Sequence, residues 1–473
     1  MLSFSARWNE RGGYREFLGL AFPLIISTAS WTIQQFVDRM FLAWYSPEAI
    51  AAAMPAGLLN FAIMCVFLGT AGYTGTFVAQ YYGAGVYHRI GPSVWQGIYI
   101  SLVGGIVLLA FVPLAKPLFA LAGHEPLVQK YETTYFRILC MGSFFPIASS
   151  ALSGFFSGMG RTWPVMWVNL LATLVNVVLD YAMIFGKAGF PEMGIGGAAI
   201  ATVISGIFSF VVFLILFFRH AEQVKYKTVS GWRPDRKLFS SVFRFGFPSG
   251  VQFAIDMAGF TIFILIIGRL GTENLAATNI AFNINTIAFM PMLGAGIAIS
   301  VLVGQYIGME KPDLAVRSTY SGMHLIVAYM GLISMLYLVV PHFFVNIYSM
   351  GAAVGSMERI GALTVTLLRF VAFYSFFDSL SIVFSSTLKG AGDTRFIMKA
   401  IVLSSVFLLV LPTWLAVSFF KDSLFLCWSI ATLYIIVLGI IFFLRFKHGA
   451  WKKMRVIESH AVLVDLNEGG NNT

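Results

Sequence analysis

Long apolar runs, broken by short polar stretches, recur from one end of the chain to the other. A helix needs about 20 mostly apolar residues, at 1.5 Å rise each, to cross a bilayer. Runs of that length fall at 17–44, 51–81, 93–115, 132–157, 164–185 and 196–218, and again at 242–268, 275–306, 318–340, 359–388, 396–419 and 424–444. The pattern predicts an all-α integral membrane protein of about twelve transmembrane helices. No small-residue cleavage site follows a short apolar stretch near the start, so the first run is expected to stay as a span rather than leave as a secretory signal.

The chain also matches itself. Shifted by 225 positions, Phe22-Pro23 falls on Phe247-Pro248, Ala51-Ala52 on Ala276-Ala277, Asn60 on Asn285 and Leu68-Gly69 on Leu293-Gly294. The same shift places Gln80-Tyr81 and Gly83 on Gln305-Tyr306 and Gly308. A shift of 232 aligns Arg137 with Arg369, Ser143-Phe144-Phe145 with Ser375-Phe376-Phe377, and Gly158, Gly160 and Thr162 with Gly390, Gly392 and Thr394. The matches keep their order, as an internal duplication would leave them. Each shift crosses six spans, an even number, so equivalent helices run in the same direction. The expected plan is two six-helix lobes related by a pseudo-two-fold axis along the membrane normal, a layout used by transporters that rock one half against the other. The lobes are expected at 17–218 and 242–444. They are joined by a linker at 219–241 and flanked by an N-terminal segment, 1–16, and a tail, 445–473. A duplicated helical scaffold without transport is the plainer alternative.

Composition strengthens the membrane reading and charge orients it. The chain is 58% hydrophobic, only 11% charged and has a mean hydropathy of +0.82, against about 25% charged in a soluble globular protein. Of the 31 Lys and Arg, 22 fall on the side that holds both termini and the 219–241 loop. The positive-inside rule therefore places these three segments on the cytoplasmic side of the membrane. The net charge of +10 is spread over separate segments with no soluble domain to gather it, so no nucleic-acid partner is expected. The bilayer and small solutes are the expected partners, and the chain is expected to act as a monomer. Cys65, Cys140 and Cys427 sit in apolar runs at no metal-ligand spacing and read as packing residues. Residues 456–473, polar and rich in Gly and Asn at the end, read as disordered.

Ionisable groups inside spans call for a reason, since each costs roughly 2.5–3.5 kcal/mol to insert. Asp38, Asp180, Asp256 and Asp378 stand out. Asp38 and Asp180 share a depth of about 10 Å from the outer ends of their spans at 1.5 Å per residue. Asn176 lies one turn before Asp180 on the same face, and Thr202 enters at similar depth from span six. Two carboxylates, an amide and a hydroxyl can hold a proton, because like charges in a low dielectric cannot both ionise, or a sodium ion on hard oxygen donors. They can equally serve as separate interhelical hydrogen bonds. In the second half Asp256 and Asp378 lie near the midplane, with Tyr374 one turn before Asp378. A structural pairing with Arg269 or Arg369 is the alternative there. None of the four has an acidic repeat mate: the matching positions are Phe263, Pro412, Trp31 and Pro146. The scaffold is shared and the charges are not, which predicts different tasks for the two halves. Arg39 adjoins Asp38 but points about 100° away on a helix, so the two are not expected to pair. Pro23 and Pro248, inside spans one and seven, read as hinges or as tolerated bends. The seven His form no HExxH array and no GxSxG elbow occurs, so the chain is not expected to be an enzyme and no cofactor is implied.

Four segments, PLIISTASWTIQQFVDRMFLAW with Pro23 and Asp38, NVVLDYAMIFG with Asn176 and Asp180, GFPSGVQFAID with Asp256, and FFDSLSIVFSSTLKGAGDTR with Asp378, carry a family likeness. With the duplicated VAQYYGAG and VGQYIGME, they make the chain resemble the MATE (multidrug and toxic compound extrusion) transporters, close to their bacterial NorM type, over nearly its whole length. The resemblance implies a central cavity open alternately to either side. It further implies export of cationic or amphipathic compounds in antiport with Na+ or H+ as coupling ion. By position, Asp38, Asn176, Asp180 and Thr202 look like the cation or proton site of the first lobe, and Asp256, Tyr374 and Asp378 like a cation site of the second, with Na+ possible at either. NorM-type proteins usually have Glu where this chain has Asp256, one methylene shorter. A lipid-linked oligosaccharide flippase of the same superfamily shares the twelve-helix plan, but it should present a more cationic cavity than these acids would make.

Overall fold

The computed structural model describes residues 8–219, 223–349, 356–420 and 424–458. Residues 1–7 of the expected N-terminal segment and 459–473 of the tail lie outside the described residues. Among the described residues the fold is all α. In chain order the main helices are α1 (Tyr14–Tyr45), α2 (Pro47–Gly72), α3 (Thr74–Gly83), α4 (Ile90–Ala110), α5 (Pro126–Gly142), α6 (Phe144–Gly158), α7 (Thr162–Ile184) and α8 (Ile195–Phe218). They continue as α9 (Arg236–Ile267), α10 (Thr272–Gly308), α11 (Pro312–Val339), α12 (Ser356–Ala391), α13 (Thr394–Ser404), α14 (Leu411–Phe419) and α15 (Leu424–His448). Among the described residues eleven helices, counting α2 with α3 and α13 with α14 as single spans, are long and apolar enough to cross a membrane. Counted as one span, the pair α5 and α6, bent by 40°, brings the number to twelve.

Local chemistry sets the breaks. Pro47 stops α1 and opens α2, since it lacks the N–H that a helix interior needs but loses nothing at a first position. The Ser46 hydroxyl accepts the Ala49 N–H at 3.0 Å and caps the new helix. The fourth run, expected as one helix over 132–157, bends at Ser143. There Asn60 reaches in from α2 and its Nδ2 donates to Ser143 Oγ at 3.3 Å and Cys140 Sγ at 3.4 Å. A side chain inserted at a break is a recognised cause of a kink. Between α13 and α14 the helix widens into a π turn, Ser405–Val410, just ahead of Pro412, where the missing N–H interrupts the regular ladder. The three cysteines are free and buried, as packing residues would be.

The chain divides into two compact units. The C-terminal unit takes in the described part of Met1–Gly19, Ile255–Val303 and Pro312–Met454; the N-terminal unit takes in Leu20–Ala254, Gly304–Lys311 and the described part of Arg455–Thr473. The division runs through α1, α9 and α10 rather than around them. Within the N-terminal unit the reason is visible in two glycine crossings. A Cβ on Gly69 of α2 would lie 2.7 Å from the Gly250 Cα of α9. A Cβ on Gly83 would overlap the Gln305 carbonyl, and one on Gly308 the Gln80 carbonyl. Residues without side chains let helix backbones approach closely in a membrane, where packing replaces the hydrophobic drive.

The start of the tail is ordered, contrary to the expectation of disorder over 456–473. Val456 and Ile457 are buried, and the Val456 N–H donates to Gln80 Oε1 at 2.9 Å. Tyr81 donates to Glu458 Oε2 at 2.6 Å, and Arg89 bridges Glu458 (3.3 Å) and Asp235 (2.9 Å). Composition suggested a free tail, but Gln80 and Tyr81 offer buried polar atoms that this segment bonds. Burial alone would push the Asp235 carboxyl up. The Leu238 N–H, Arg89 and the Lys237 N–H outweigh it and hold the group below the usual carboxylate range. Its stabilising contribution is therefore present above its unfolded pKa, about 3.9, and is lost only as pH falls below that value. Glu458→Gln, which removes the charge from the bonds to Tyr81 and Arg89, is expected to cost about 1–2 kcal/mol. Thermal unfolding in detergent measures it, and an unchanged melting temperature would contradict the assignment.

Candidate ion site

Two polar faces meet inside the N-terminal unit. On α7 the positions 169, 173, 176 and 180 repeat at three- and four-residue spacing and so share one face. They face Ser27, Ser30 and Asp38 of α1. Asn169 Nδ2 donates to Ser27 Oγ at 2.6 Å, and Thr173 Oγ1 to the Ser30 carbonyl at 3.3 Å. Further along the same seam Asp38, Asn176 and Asp180 converge. Asp38 is 5% exposed, and Asn176 and Asp180 are wholly buried. With its amide oriented by the hydrogen-bond network, Asn176 Nδ2 donates to Asp38 Oδ1 at 2.8 Å and to Asp180 Oδ2 at 3.2 Å. Asp180 Oδ1 has no hydrogen-bond partner, and neither carboxylate makes an ion pair among the described residues. Arg39 is exposed. Thr202 spends its hydroxyl on its own helix, donating to the Ala198 carbonyl at 3.0 Å, and makes no bond to either aspartate.

In the C-terminal unit the acids are less enclosed. Asp256 on α9 and Asp378 on α12 are half-buried, while Tyr374 is buried. The Tyr374 hydroxyl accepts from Asn285 Nδ2 at 3.4 Å. Asp256 and Asp378 lie within each other's electrostatic reach, and Lys389, three turns beyond Asp378 on α12, acts on Asp256. Tyr434, whose hydroxyl is 3.1 Å from Ser405 Oγ, lies within electrostatic reach of both acids. Pro23 and Pro248 are buried within unbroken helices α1 and α9.

Sequence reasoning passed over several of these groups. Asn60 and Asn285 stood out as a matched pair, and each turns out to donate across to the helix that its half bends or charges. Ser27, Ser30, Asn169 and Thr173 carry no charge, yet their helical spacing toward Asp38 and Asp180 marked the seam. Glu132, at the edge of the fourth run, is wholly buried with Oε1 2.8 Å from His124 Nδ1.

The MatE family model matches this chain twice, over residues 23–182 and 248–415. The chain belongs to the MatE family. The two matches open at Pro23 and Pro248, the residues that the 225-position shift superposes, so the family unit is the internal repeat itself. This MatE chain is 28% identical over 384 residues to the multidrug resistance protein NorM of Burkholderia vietnamiensis, covering 80% of this chain and 82% of that one. It is 25% identical over 456 residues to a probable multidrug resistance protein NorM of Thermotoga maritima, covering 95% of each. Among solved structures, an outward-facing multidrug resistance MATE family transporter superposes with a TM-score of 0.84 at 18% identity, over 96% of this chain and 99% of that one. A MOP superfamily transporter from Pyrococcus furiosus gives the same score and identity over 96% and 100%. The MatE chain is thus a membrane transporter and not an enzyme.

Proposed function

We propose that this chain is a secondary active multidrug exporter that expels cationic or amphipathic organic compounds in antiport with H+ or Na+. The observation that carries the reading is the Asp38–Asn176–Asp180 cluster: two buried carboxylates joined by one amide, without a basic partner. Two such anions side by side in a low dielectric are costly, and a proton or a cation relieves the repulsion. The Asn176 amide suits either occupant. With Nδ2 toward the carboxylates it supports a protonated pair; turned over, Oδ1 becomes a third oxygen for Na+. Thr202 would join the site only by giving up its bond to Ala198.

An ion can drive transport only as far as its affinity differs between conformations. Neutralising the seam between α1 and α7 changes how tightly those helices hold each other, and Pro23 supplies the bend that α1 needs. Asp256, Tyr374 and Asp378 form the second site, with Lys389 available to compensate Asp256 when that site is empty. Both termini and the 219–241 linker lie in the cytoplasm, the lobes span 17–218 and 242–444, and the working unit is the monomer.

Efflux of a fluorescent organic cation from proteoliposomes, driven by a sodium gradient or by a pH gradient, tests the proposal. One gradient is expected to accelerate efflux by about tenfold or more, an effective coupling of some 1.4 kcal/mol. Efflux indifferent to both, or scrambling of lipid-linked sugars without drug export, would overturn it.

A further inference from the structure

The C-terminal unit carries an open groove of about 530 Å³ between α12 and α15, within the size range of small-molecule sites, roughly 300–1,000 Å³. Its lining is of two kinds. Phe370, Phe373, Leu433 and Ile436 form an apolar floor, with the Phe370 ring stacked on Phe425 at 6.4 Å. Phe373, Phe425 and Leu433 are exposed, as a surface turned to lipid would be. Arg369, Ser429 and Thr432 supply the polar part.

Ser429 spends its hydroxyl on its own helix, donating to the Phe425 carbonyl at 2.8 Å; the other two polar groups are not explained by the fold. Arg369 is exposed and makes no hydrogen bond or ion pair among the described residues. Thr432 is 7% exposed, and its Oγ1 has no hydrogen-bond partner. The repeat sharpens the contrast, because the matching Arg137 donates its Nε to the Val112 carbonyl at 3.2 Å. Depth narrows the choice of ligand. Arg359, which pairs with Glu273 at 3.1 Å and is 77% exposed, marks the watery end of α12. Arg369 lies ten residues further, about 15 Å along the axis, and Thr432 about 12 Å from the start of α15. A flexible cationic side chain at that level reaches back toward the interface, where lipid phosphates lie.

We propose that this groove binds one anionic phospholipid of the bilayer. Its phosphate accepts from the Arg369 guanidinium and the Thr432 hydroxyl, and one acyl chain lies along Phe370, Phe373, Leu433 and Ile436. No acid lines the groove, which selects an anion. The groove is open along its length to the exposed apolar surface, which favours a molecule already in the bilayer over a water-soluble phosphate. The site makes no use of the ion-binding acids, so it stands or falls apart from the transport reading.

The test uses the full chain in nanodiscs containing equal phosphatidylglycerol and phosphatidylcholine, followed by native mass spectrometry of the lipids retained in detergent. Wild type is expected to retain phosphatidylglycerol over phosphatidylcholine by about fivefold, the value of one interfacial cation. Arg369→Gln and Thr432→Val should each reduce that preference, and Arg369→Lys should keep most of it. Melting temperatures identify any variant that fails to fold, and the remaining substitution then decides. Equal retention of the two lipids by wild type, or undiminished preference in a folded Arg369→Gln, would overturn the proposal. So would displacement of the lipid by millimolar glycerol phosphate. An Arg369→Gln protein that keeps its lipid but loses uptake of an anionic amphipathic dye would overturn it in favour of a solute site.

Discussion

Asp38→Asn is expected to lower gradient-driven efflux of an organic cation by at least about tenfold, and Asp378→Asn to lower it measurably as well. The argument starts from burial. Asp38 is 5% exposed and makes no ion pair among the described residues, so its charge must be managed largely by what binds there. Asparagine has nearly the same shape and can still bond to Asn176, so the seam between α1 and α7 should survive. What disappears is the ability of the pair to change its charge. Moving a two-state equilibrium from 1:99 to 99:1 takes about 5.5 kcal/mol of differential binding. Losing even a quarter of that leaves about a tenfold smaller response. Asp378 is half-buried and has Asp256 within electrostatic reach, so its loss should be partly covered. Vesicle efflux under an imposed gradient measures both, with passive leak and monodispersity as controls. Undiminished ion-driven transport in both variants would defeat the antiport mechanism.

Gly250→Ala should cost about 1–3 kcal/mol or more, the range for overpacking a close-packed site, whereas Gly331→Ala should stabilise by some 0.5–1 kcal/mol. Both glycines are inside helices. A methyl on Gly250 would overlap the Val66 carbonyl and come within 2.6 Å of Thr70 Oγ1. Backbone cannot swing aside as a side chain can, so α2 and α9 must separate. A methyl on Gly331 meets nothing within 4 Å, and removing the glycine simply narrows the unfolded ensemble. Paired thermal melts of the purified variants give the comparison. Equal melting temperatures would mean that the α2–α9 crossing is not held by close backbone contact.

The buried acids were legible before any coordinates, because charge within a long apolar run contradicts its surroundings at the level of single residues. Asn176 was found through its four-residue spacing from Asp180. Thr202 was drawn in on depth alone, and depth does not report which way a hydroxyl points; here it points to Ala198. Lys389 escaped notice because it sits at the end of a run, where a cation is ordinary. Only its approach to Asp256 makes it part of the site. Glu132 escaped because it stands where a run begins and an acid is ordinary; only its complete burial in the folded chain marks it.

Hydropathy, charge bias and the 225-residue repeat specified an all-α chain of twelve spans, since crossing a bilayer requires each segment to satisfy its own backbone hydrogen bonds. That demand is local, so it is written residue by residue. Which helices touch was decided by the tertiary structure. The bend at Ser143 depends on Asn60, 83 positions away; the glycine crossings split α9 and α10 between units; the tail is held by Gln80 and Tyr81, more than 370 residues earlier. Such contacts depend on shape and on partners distant in the chain, and no periodicity along one helix encodes them.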